Sequence, residues 1–178
     1  RNNVLNAHAS AFRAVGRTAE ALSLLRKSDF TSDHESDLPL LLNSGLVLAM
    51  CLASGRKTDE AWSQIEQVRE QSKQGDSVVK GNDHHSIQPL SPAQIAMRLV
   101  LSVAEITTRF YEEMQAAEGN SAAQRTAVKD CRRALDDWAE KTTNLAESGS
   151  QHVGHIEIRV QAVILRHELA RAEARVLQ

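Results

Sequence analysis

Apolar positions recur along most of this chain at helical spacing, and polar breaks divide the pattern into seven segments. The first two predicted helices run from about Asn3 to Val15 and from Thr18 to Ser28. A third spans about Pro39 to Ser54 and a fourth Thr58 to Lys73. Ser91-Pro92 opens a fifth, since Pro fits the first helical turn, and that helix continues to about Ala117. The sixth covers Ala122 to Leu145 and the seventh Val153 to the end. Short breaks, "EGNS" and "ESGSQ", separate the last three, and a polar linker, "DFTSDHESD", follows the second helix. The pattern predicts an all-α fold. Residues 1–74 form two helical hairpins, 75–91 a flexible loop rich in Gly, Asp and Ser, and 92–178 an antiparallel bundle of three long helices.

The two last helices carry apolar positions in alternating steps of three and four. In the sixth these include Val128, Cys131, Leu135 and Trp138; in the seventh, Val160, Val163, His167, Ala170, Ala174 and Leu177. Such a stripe packs one helix along another at a shallow angle, so both stripes are expected to face inward, with His167 hydrogen-bonded at a helix–helix contact. The seventh helix is apolar beyond its stripe. Ile158, Leu165 and Leu169 widen it, and a helix apolar over so much of its circumference must be covered on more than one side. These three residues are therefore the expected surface for a partner protein.

The hairpins share a turn. "AFRAVGRTAEALSLL" (residues 11–25) and "AMCLASGRKTDEAWSQI" (49–65) both read apolar helix, Gly-Arg, polar turn, Glu-Ala, apolar helix. Gly16 and Gly55 are expected to end their helices in the left-handed conformation, which glycine adopts without a Cβ penalty. Ala21 and Ala61 let the paired helices approach closely, while Phe12, Leu25 and Ile65 fill the space beside them. Aligned on the glycines, the second turn is one residue longer.

This unit resembles the tetratricopeptide and pentatricopeptide repeat families over about residues 3–70. The resemblance implies stacked antiparallel hairpins. Pentatricopeptide proteins are organellar and read single-stranded RNA through polar side chains on the first helix of each repeat; the matching positions here are Ala7 and Leu46, neither of which reads a base edge. Tetratricopeptide-type arrays act as scaffolds that bind other proteins.

Composition agrees with helix packing rather than with chemistry. Aromatics are 3% of 178 residues and the net charge is −2, with a pI near 6.4, so the basic excess expected of a nucleic-acid binder is absent. No apolar run reaches the roughly 18 residues that cross a bilayer. Cys51 and Cys131 read as buried reduced thiols rather than a disulfide framework. Asp83-His84-His85 in the loop, and His152 with His155, are the only histidine clusters. Their spacing alone does not make a zinc site. Adjacent carboxylates such as Asp136-Asp137 point different ways on a helix and read as solvated. No catalytic constellation, cofactor motif or metal set emerges, and no small-molecule substrate is inferred.

The expected function is a non-enzymatic scaffold or assembly subunit that contacts other protein subunits. Since the chain begins at Arg1 without an initiator Met, the repeat resemblance suggests a mitochondrial complex, with the cytoplasm as the alternative. An organellar RNA-binding or ribosome-associated subunit is the second reading.

Overall fold

The computed structural model describes residues 2–26, 38–78, 92–147 and 154–177. Among these, seven helices follow one another: α1 Asn2–Ala14, α2 Thr18–Arg26, α3 Leu38–Ser54, α4 Thr58–Val78, α5 Pro92–Ala116, α6 Ser121–Glu147 and α7 Gly154–Val176. The fold is all-α. The linker at 27–37 and the loop histidines His84 and His85 lie outside the described residues. Helix α4 runs through 75–78, a stretch whose composition reads as loop. Extending an established helix by one residue gains a hydrogen bond without a new nucleation cost, so weak helix formers are carried along.

Successive helices pack in an orderly sequence. Helix α1 lies against α2 and α3, and α2 also touches α3; α3 meets α4 and α5; α4 touches α5 in turn. Helix α5 continues the series with α6 and α7, which also meet each other. Helix α5 thus spans the loop as a packing element, so the two halves share one interior. One further contact, between α1 and α7, joins the first helix to the last. Helix α3 is apolar on nearly all sides because four neighbours cover it. Gly45 gives α4 its close approach, since a Cβ there would lie 2.8 Å from Val68 Cγ2.

The two tight turns are equivalent at a register of 40 residues. In the first, Gly16 N–H donates to the Arg13 carbonyl and Arg17 N–H to that of Phe12, at 2.9 and 2.8 Å. In the second, Arg56 N–H donates to Ala53 and Lys57 N–H to Leu52, both at 2.9 Å. Each pair of bonds satisfies carbonyls that the helix end would otherwise leave open. The left-handed residue is Gly16 (φ 79°) in the first turn but Arg56 (φ 63°) in the second. The expectation that Gly55 takes that conformation is therefore corrected, and the two turns are equally long. Gly55 is closely surrounded instead: a Cβ would meet Thr18 Cγ2 and two carbonyl oxygens at 3.3 Å, so these neighbours would have to shift slightly to admit one. In this register Ala21 and Ala61, both fully buried, are partners, as are Leu25 and Ile65. Phe12 is half-buried, with the Arg17 guanidinium 4.9 Å from its ring centroid.

The stripe on α6 does face the interior: Val128, Cys131, Leu135 and Trp138 are all buried, and Trp138 Nε1 donates to the Leu99 carbonyl at 3.2 Å. Helix α7 is turned the other way. Its three-four stripe points outward, with Val160, Val163 and Leu177 at 44%, 62% and 68% exposure and His167 exposed as well. Its inner face carries Ala162, Ile164, Leu165 and Leu169 together with Gln161 and Glu168. Leu165 and Leu169, expected as a partner surface, are instead core of the chain itself at 0% and 2% exposure. The side chain of Ile158 lies outside the described residues.

Candidate functional site

The inner face of α7 is polar where it meets α1, and this is the most unusual chemistry in the interior. Arg13, in the last turn of α1, reaches Glu168 through two bonds, Nε to Oε1 at 3.0 Å and Nη2 to Oε2 at 2.6 Å. Its Nη1 also donates to Gln161 Oε1 at 3.3 Å, and Gln161 Nε2 donates to Ser10 Oγ at 2.7 Å. The ion-paired side chains are 1% and 5% exposed. Burial alone would push the Arg13 guanidinium down; the charge and hydrogen bond of Glu168 outweigh it and hold it above its ordinary value. Tyr111 on α5 faces the same carboxylate. Burial, and then the Glu168 charge, pushes its phenol well above the usual range.

A cleft of about 380 Å³ opens beside this network, between the α1–α2 turn, the end of α3, and helices α5, α6 and α7. Arg56, Arg171 and Arg175 line it, together with the apolar side chains of Phe110, Met114 and Val176. Arg171 donates to the Ala14 carbonyl at 3.4 Å, and its Nη2 lies 3.0 Å from where a Cβ on Gly16 would sit. The glycine that closes α1 thus also admits this arginine. Arg56 pairs with Glu118 at 3.2 Å in the open, whereas no carboxylate among the described residues pairs with Arg171 or Arg175. Gln115 accepts from Thr58 Oγ1 at 3.5 Å, but its buried Nε2 has no acceptor among the described residues.

Of the sequence-derived positions, the hairpin residues Ala21, Leu25, Ala61 and Ile65 gather in the core, away from this cleft; only Gly16 lines it. The Arg13 network and the cleft were not foreseen. A signal existed: Asn6, Ser10 and Arg13 follow helical spacing on one side of α1, as Gln161 and Glu168 do on α7. Asn6 is also buried and donates to Ser44 Oγ at 3.0 Å.

Other candidates dissolve into ordinary pairing. Arg132 bonds Glu173 at 2.6 Å and Arg166 approaches Asp136 at 3.5 Å, so these two arginines are paired between α6 and α7. Trp62 is half-buried and donates to Glu112 at 3.1 Å. Among the described residues no group of His, Cys, Asp and Glu is placed to hold a metal, and no helix is long and apolar enough to cross a membrane. No family model, curated protein or solved structure matches this chain.

Proposed function

We propose that this chain is a non-enzymatic helical-repeat scaffold, or an assembly subunit of a larger complex, acting through protein–protein contacts. The outward stripe on α7 carries the reading. Val160, Val163 and Leu177 are large apolar side chains exposed in one line, with His167, Ala170 and Ala174 between them. Scattered exposed apolar residues are ordinary, but an aligned row at coiled-coil spacing is the kind of surface another helix covers. One further fact favours a tetratricopeptide-like stack: the hairpins repeat at 40 residues, including the surface pairs Arg17–Glu20 and Lys57–Glu60.

The second reading, an organellar RNA-binding protein, is less well supported. Ala7 offers only a methyl group and Leu46 is buried, so neither position can read a base. A mitochondrial setting belongs to the proposal and rests on the repeat resemblance alone.

The test is purification of the native complex from expressing cells with the wild-type chain and with Val163→Glu. A protein subunit held by the wild type and released by the variant, with no RNA dependence, is the expected result. Retention of every partner by a folded variant, or loss of partners on ribonuclease treatment, would overturn the reading.

A further inference from the structure

We propose that the cleft between the α1–α2 turn and α7 binds a small phosphate-bearing molecule, with Arg171 and Arg175 holding the phosphate. This goes beyond the scaffold reading and does not depend on it. The argument starts from charge. Glu168, the one carboxylate among the described residues that line the cleft, is already engaged by Arg13 through two bonds, so it is not free to pair with Arg171 or Arg175. Arg56 has a partner in Glu118; Arg171 and Arg175 have no carboxylate partner among the described residues. Two uncompensated guanidiniums match a dianion, and a phosphate monoester carries about −1.5 to −2 near neutral pH. Guanidinium groups present paired N–H donors at the spacing of phosphate oxygens.

The remaining lining fits the same class. Gln115 borders the cleft with its amide nitrogen enclosed rather than open to a ligand. Met114, Phe110 and Val176 supply apolar lining for an organic portion. The volume, about 380 Å³, lies within the roughly 300–1,000 Å³ of small-molecule sites. Arg171 is held in place from behind by the Ala14 carbonyl and by the absence of a side chain at Gly16, so part of its ordering cost is met before any ligand arrives.

Calorimetric titration of the intact chain with inorganic phosphate, adenosine monophosphate and glucose 6-phosphate, at matched ionic strength, tests this. Succinate serves as a dicarboxylate control and a phosphoserine peptide as a macromolecular one. At least one of the two esters should bind ten-fold or more tightly than succinate and more tightly than inorganic phosphate. Arg175→Gln should weaken that binding ten-fold or more. Arg159→Gln, an exposed change on α7 outside the cleft, should leave it within two-fold. Because Arg175 is exposed, its removal leaves the fold intact, which circular dichroism verifies; a shifted Gln115 side-chain amide resonance on binding locates the ligand. Equal losses in the two arginine variants, no preference for phosphate over succinate, or tighter binding of the phosphopeptide than of both esters would each overturn the proposal.

Discussion

Arg13 and Glu168 stand 155 positions apart in the chain, yet they form a two-pronged, almost fully enclosed ion pair at 2.6 and 3.0 Å. It fastens the first helix to the last. A buried pair is not by itself a source of stability, because desolvating both charges offsets their attraction. Breaking one side is another matter. Glu168→Ala leaves a buried guanidinium uncompensated and should cost roughly 3–5 kcal/mol. Arg13→Met combined with Glu168→Leu should cost much less than the sum of the single changes. Urea denaturation of the four chains forms a double-mutant cycle, and additive losses would show that the pair does not couple α1 to α7.

The orientation of α7 yields a sharper contrast. Leu165→Glu places a charge at a fully enclosed position and should unfold the chain or cost several kcal/mol. Val163→Glu, two residues earlier and exposed, should stay within about 0.5 kcal/mol of wild type. Thermal melts decide this; equal losses would mean that α7 is rotated from the arrangement described.

Small residues set the hairpin crossings. Ala21→Leu and Ala61→Leu each force extra atoms into fully packed positions and should cost roughly 1–3 kcal/mol. Unchanged unfolding midpoints would show that the crossings have room to spare.

The two turns should respond in opposite directions to substitution. Gly16→Ala puts a Cβ on a left-handed residue and against Arg171, so it should destabilise by about 1 kcal/mol or more. Arg56→Gly relieves the same conformation at the equivalent position. It should be neutral or stabilise by up to about 1 kcal/mol, since the exposed Arg56–Glu118 pair that it loses contributes little. Differential scanning calorimetry of the two variants gives the signs directly.

The thiols make a prediction about alkaline pH. Burial pushes Cys51 up to about 11 and Cys131 up to about 12, from an ordinary value of 9.0. A raised folded value means the unfolded chain ionises first. The associated stability is therefore complete below pH 9 and is lost as pH rises through 11 to 12. Stability measured from pH 8 to 11 should fall less steeply in Cys51→Ala than in wild type. At pH 8 neither thiol should react with a disulfide reagent until the chain unfolds.

Much of the architecture could be read along the chain because its causes are local. Helical periodicity, Pro92 at a helix start and the Gly-Arg breaks placed seven helices within a few residues of their observed ends, and the α6 stripe faced inward as its spacing implied. The turn register did not follow from the glycines. A Gly-Arg match aligned Gly55 with Gly16, whereas the hydrogen bonds align Arg56 with it, and only the closed helix end distinguishes the two.

The face that α7 buries was a tertiary decision. A sequence reading assigns apolar residues inward and polar ones outward, so the regular row of Val160, Val163 and Leu177 claims the interior. In the folded chain Gln161 and Glu168 take the inner side because Ser10 and Arg13, some 150 residues earlier, arrive there to satisfy them. Partners that remote leave no periodic trace in α7 itself. Rotating the helix toward them brings Leu165 and Leu169 into the core, leaves the valine row in solvent, and positions Arg171 and Arg175 at the cleft.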